Sequence, residues 1–212
     1  MRAYIAIVDR MNRWIGRVVM FGIFVMMGIL LYSSFSKVFS VPSLWTLEMA
    51  QFAMVAYFIL GGPYSIQLGS NVRMDLLYGE WSDRKKAWVD GFTVFFLIFY
   101  LVILLWGGLS SLAYSLGDFS GDFFTFFGNI VGGFVTGGVE GATEPMGYIE
   151  RSASSWRPVV WPIKLIMFVG ISLMLLQVLS ELAKDILRLQ GHDMGPKDRD
   201  ATSMAPDEGT AR

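Results

Sequence analysis

Residues 91–117 read GFTVFFLIFYLVILLWGGLSSLAYSLG, 27 consecutive positions without a charge between Asp90 and Asp118. About 20 largely apolar residues carry a helix across the roughly 30 Å hydrocarbon layer of a bilayer, so this stretch is long enough to cross a membrane. Three more gaps of the same kind flank it. Between Arg17 and Lys37 there are 19 uncharged residues, between Glu48 and Arg73 there are 24, and between Arg157 and Glu181 there are 23 interrupted only by Lys164. Of the 212 residues 54% are hydrophobic and 17% charged, well below the roughly 25% charged of a soluble domain. The fold expected is an all-α membrane protein with four transmembrane helices, over about 18–36, 47–68, 88–108 and 159–180.

Basic residues orient these spans. Thirteen Lys and Arg fall in 1–17, 69–86 and 180–212, against three in the other two connections, Lys37, Arg151 and Arg157. Cations are enriched in cytoplasmic connections. Both termini are therefore expected in the cytoplasm, which four spans satisfy and five would not. Residues 1–17 place Tyr4, Ile7, Val8, Met11, Trp14 and Ile15 at helical spacing, with Arg10, Arg13 and Arg17 on the other side. That pattern predicts an amphipathic arm lying in the membrane interface. The apolar run after it passes into Ser33, Ser34 and Phe35 without a small-residue cleavage site, so it reads as a retained span. In the second span Gly61-Gly62-Pro63 predicts a bend, because Pro63 has no backbone donor. Residues 191–212 have the polar composition of a disordered cytoplasmic tail.

The outer connection 109–158 holds FFTFFGNIVGGFVTGGV at 123–139, with five Gly in 17 uncharged positions. A flexible outer loop, a helical or re-entrant piece packed on a partner, and a short fifth crossing are the open readings. Gly128, Gly132, Gly137 and Gly141 recur at a spacing that permits close helix approach.

Catalytic chemistry has little to work with here. The chain has no Cys, and its one His, His192, sits in the polar tail. No metal site, cofactor or nucleic-acid partner is expected, and the chain is not expected to be an enzyme. No carboxylate, His or Arg lies inside the predicted hydrocarbon, which argues against an ion-coupling site made by this chain alone. The two charges nearest the membrane interior are Glu48 and Lys164, both toward the outer face. Lys164 either snorkels its ammonium to the interface or pairs with Glu48 to hold span two beside span four. Arg73 and Asp75 sit where span two leaves the membrane on the inside.

Three stretches together resemble a known family. They are Trp45-x-x-Glu48 with Gln51 and then Gly61-Gly62, Asn71-Val72-Arg73-Met74-Asp75, and Trp156-Arg157-Pro158-Val159-Val160-Trp161-Pro162-Ile163-Lys164 followed by Leu176-Gln177. In order, spacing and depth they are similar to the small four-span permease subunit of TRAP transporters, the tripartite ATP-independent periplasmic carriers. The resemblance covers about 45–190. Many members have His where this chain has Asn71, and the connection between spans three and four is longer here than in compact members.

The resemblance implies a subunit of the bacterial inner membrane that binds no solute itself. It implies a large permease subunit as partner, coupling organic-acid uptake to sodium, and a periplasmic solute-binding protein that delivers the acid. Subunit-contact residues are then expected at Trp45, Glu48, Gln51, Arg73, Asp75, Trp161 and Lys164, with Trp14 and Trp156 anchoring the chain in lipid. An accessory structural subunit of a respiratory or photosynthetic complex is the alternative that the residues leave open.

Overall fold

The structure, a computed structural model, describes residues 2–39, 41–68 and 83–189. It contains α1 (Arg2–Met20), α2 (Gly22–Phe39), α3 (Thr46–Leu68), α4 (Asp83–Ser115), α5 (Phe123–Thr143) and α6 (Trp161–Leu189). Outside the helices, one isolated antiparallel bridge joins Arg151 to Val159. Among the described residues four helices are long and apolar enough to cross a membrane: α1 and α2 taken together, α3, α4 over Phe92–Ser115 and α6 over Trp161–Lys184. The arm 1–17 and the expected span 18–36 thus become one helical path, with a tightened turn at Phe21. There the Phe21 N–H donates to the Val18 carbonyl at 3.2 Å and the Phe24 N–H to the Phe21 carbonyl at 3.1 Å, the three-residue spacing of a 3₁₀ turn.

Helix α6 is the hub. One side carries α3 and the other α4, while α2 lies on α3, and α2 makes no substantial contact with α4 or α6. The spans therefore form an open row in the order α2, α3, α6, α4. In α6, 39% of the most apolar window is buried, against 6% in the first span, 11% in α3 and 6% in α4. A soluble protein could not leave that much apolar surface bare; lipid or a membrane partner must cover both faces of the row.

Without a hydrophobic drive between helices in lipid, close association depends on small residues and complementary surfaces. Gly22 lies against Tyr57 and Gly16 against Tyr64, so the first helical path runs antiparallel to α3 through the break at Phe21. At the centre of the row α3 stays helical through Pro63. The missing Pro63 N–H frees the carbonyl four residues earlier, at Ile59. Gly170 of α6 is pressed against that carbonyl: a Cβ there would lie 3.1 Å from the Ile59 oxygen and would overlap the Ile59 side chain. One helical turn away, Met174 covers Gly62. Leu101 of α4 and Ile171 and Val178 of α6 form the adjoining apolar core, with Ile66 of α3 packed on it.

Helix α4 continues to Ser115, beyond the expected end of its span at 108, because intrahelical hydrogen bonding does not stop at the membrane boundary. Helix α6 runs to Leu189, in keeping with the reading of ELAKDILRLQ at 181–190 as a continuation of the fourth helix past the membrane. Within the expected outer loop, α5 is helical, with a reversal at Gly138 (φ 65°, ψ −143°). Only glycine adopts that backbone conformation without strain. After the reversal the chain folds back so that Gly133 and Gly141 touch backbone to backbone. The hairpin closes at its base, where the Gly147 N–H donates to the Leu116 carbonyl at 3.1 Å.

The α3–α6 contact yields a direct test. Gly170→Val should lower the unfolding free energy in detergent by about 1–3 kcal/mol, the usual cost of overpacking. Gly107→Ala should leave it unchanged or slightly raised, since no atom lies within 4 Å of a Cβ at Gly107.

Candidate functional site

Besides the buried Thr46 Oγ1 to Ser33 Oγ bond of 3.1 Å that ties α3 to α2, polar side chains meet in two junctions, one toward each end of the helices. At the junction on the expected outer side, called the outer junction, the connector after α5 folds over the ends of three helices. The Glu150 N–H donates to the Ser115 carbonyl at 3.0 Å, and the Val160 N–H donates to the Glu150 carbonyl at 3.2 Å. Arg157, at φ 48°, makes the turn between them. Its N–H donates to Ser154 Oγ at 3.2 Å.

This connector separates the pair expected between Glu48 and Lys164. Lys164 Nζ instead lies 2.6 Å from Glu150 Oε2. It also donates to the Ser111 carbonyl near the end of α4 at 3.2 Å. Glu48 accepts from Ser152 Oγ at 2.6 Å, and its other oxygen, Oε2, is buried with no hydrogen bond among the described residues. The expected ion pair is therefore replaced by two bonds to one connector strand. The physical reason is proximity: Glu150 and Ser152 are carried between α3 and α6, and each satisfies its partner at shorter range.

The other expected contact residues are dispersed. Trp45 stacks near Tyr32 with ring centroids 5.7 Å apart, and Gln51 is exposed. Trp161 is half-buried against the cluster of Leu112, Ala113, Leu116, Phe123 and Phe126. Trp14 and Trp156 are 68% and 42% exposed, free to meet lipid. Arg73 and Asp75 lie outside the described residues.

The inner junction was not anticipated from the sequence. Helix α1 buries Ile5, Val8, Asn12 and Gly16 along one stripe, and this stripe docks on α3 and α6. Asn12 Nδ2 donates to Gln177 Oε1 at 2.6 Å. Gln177 Nε2 in turn donates to Asp9 Oδ1 and Glu181 Oε1, each at 3.1 Å. Lys184 Nζ lies 2.7 Å from both Asp9 Oδ2 and Glu181 Oε1, and Ser180 Oγ donates to Asp9 at 3.2 Å. Asn12, Gln177 and Ser180 are essentially inaccessible. One signal was available, Asp9 as the one acidic residue among the first 17; the buried stripe lies to one side of the expected apolar one, and so takes in Asn12.

Among the described residues no group of three or more His, Cys, Asp or Glu is placed to hold a metal ion. Each acid is engaged by a base or hydroxyl, so the chemistry of both junctions is helix fastening. Charge reversal tests the outer one: Lys164→Glu should lower the melting temperature in detergent, and Glu150→Lys added to it should restore the lost stability, whereas Glu48→Lys should not. At the inner junction Gln177→Leu strands Asn12 and should cost about 1–3 kcal/mol.

Against known proteins, residues 26–128 match the family model described as Tripartite ATP-independent periplasmic transporters, DctQ component. The match runs from within α2 through α3 and α4 into the first turns of α5. No curated protein and no solved structure matches the chain. With four apolar helices of spanning length among the described residues, the chain is a multi-pass membrane protein, and the match over residues 26–128 identifies the small permease component family of TRAP transporters.

Proposed function

We propose that the chain is the scaffold of its transporter, a fixed wall that holds a large permease subunit at a set height and tilt in the bacterial inner membrane. In this reading a periplasmic solute-binding protein delivers an organic acid, and the large subunit couples its entry to a sodium gradient. The small subunit binds neither acid nor sodium and catalyses no reaction. The observation that carries the proposal is the open row of helices. A carrier encloses its cargo between helices, whereas this row leaves two broad apolar faces bare and buries only α6 substantially. One face is suited to lipid and the other to a partner of the same thickness.

The charge distribution supports the same division of labour. Residues 91–117 of α4 and 165–180 of α6 contain no ionisable side chain of the kind that relays protons or ions. The ionisable groups sit instead in the two junctions, where they keep neighbouring helices from sliding past each other. Exposed Trp14, Trp45 and Trp156 are aromatic side chains of the type that settle at the headgroup level. The arm α1, with both termini on the cytoplasmic side, steadies the inner end.

The test is sodium-driven uptake into proteoliposomes containing the large permease subunit and supplied with its solute-binding protein. Uptake should require the small subunit, and Gln177→Leu should reduce it through loss of assembly without changing sodium dependence. Full uptake by the large subunit alone would contradict the scaffold role.

A further inference from the structure

We propose that the α5 hairpin is an outer-surface membrane anchor, a helix lying in the headgroup region with its large apolar stripe in the acyl chains. Three observations converge on it. First, the exposed face of α5 is two-sided. Phe124, Val131 and Val135 fall at i, i+7 and i+11 and are 62%, 63% and 78% exposed. Thr125, Asn129 and Thr136 form a second exposed stripe on another side of the helix. The buried residues Phe123 and Phe126 make the third side, which fastens the helix to the outer end of α4. A helix with separate apolar and polar exposed stripes is suited to a water–lipid boundary.

Second, the apolar stripe is continuous with the membrane-spanning surface of α4. Trp106 is 61% exposed on that surface and meets Phe123 and Phe124 edge-on, with ring centroids 5.0 and 5.7 Å apart. At about 1.5 Å per residue, Trp106 lies roughly 13 Å below the Ser115 end of α4. The hairpin therefore starts alongside the spanning segment of α4, below the outer tip of its neighbour.

Third, the polar groups of the hairpin are arranged for that boundary. Asp122 caps the helix, accepting from Thr125 Oγ1 at 2.7 Å and from the Thr125 N–H at 3.4 Å. These bonds, the hydroxyl's first, hold its carboxyl below the ordinary carboxylate value and keep the charge at the hairpin's base. Thr136 Oγ1 donates back to the Gly132 carbonyl at 3.0 Å. No Lys or Arg occurs between Lys86 and Arg151, so the attraction to lipid comes from apolar area and not from headgroup charge.

The chain has no cysteine, so single substitutions report without background. Val131→Cys, Val135→Cys, Asn129→Cys and Thr136→Cys would each be labelled with an environment-sensitive fluorophore in the full chain. Each labelled chain would be reconstituted in phosphatidylcholine vesicles with iodide on both sides of the bilayer. Labels at 131 and 135 should emit at shorter wavelength, be quenched by doxyl-labelled lipid and show several-fold weaker iodide quenching than labels at 129 and 136. Strong iodide quenching at all four positions would overturn the proposal by placing the hairpin in water. Protection of 131 and 135 from both iodide and doxyl lipid would overturn it by showing that protein, not lipid, covers the stripe.

Discussion

The contact between Gly170 and the Ile59 carbonyl sets how closely α3 and α6 approach, and the rest of the row is hung from those two helices. Pro63 frees that carbonyl from its own helix, and an orphan backbone acceptor in hydrocarbon is costly. Placing a glycine of the neighbouring helix against it excludes lipid and lets the two backbones meet. Once α3 and α6 are joined in this way, α2 has one side of α3 to lie on and α4 the far side of α6. Because among the described residues no further spanning helix closes the ring, both faces of the row stay open.

An open row needs something to keep its members in register, since apolar surfaces slide over one another with little penalty. The two polar junctions supply that resistance. At the outer end Lys164, Glu150, Ser152 and Glu48 tie α6, the connector and α3 together. At the inner end the Asn12–Gln177 bond and the Asp9–Lys184–Glu181 cluster tie α1 to α6. Charges concentrated at the ends, where water or headgroups lower their desolvation cost, leave the middle free of groups that would attract ions. This distribution is the one that the proposed scaffold role calls for.

Most of the membrane architecture was legible because charge-free length is a one-dimensional signal. The second span, expected over 47–68, is α3 at Thr46–Leu68, where the nearest charges and the helix start nearly coincide. Length was less legible in α4, which runs on past its expected end to Ser115. Partner choice was hidden, because Glu48 and Lys164 match in depth and sign but the path of a connector more than a hundred residues from Glu48 decides which acid reaches Lys164. Asn12 was hidden for a related reason: a single Asn on an arginine-bearing helix looks solvated until Gln177 is brought opposite it. The Gly-rich stretch 123–139 left three readings open, since glycine both loosens a helix and permits close approach; the reversal at Gly138 uses the first property and the Gly133–Gly141 contact the second.

The central claim is that this chain is one wall of a larger carrier, and its most direct test is what the chain holds in its native membrane. Purification of the tagged chain in a mild detergent, followed by mass spectrometry of the intact assembly, should give a stable complex with a multi-span permease much larger than its own 23.8 kDa. Recovery of the chain alone, or bound to pigmented or redox-active subunits, would contradict the account.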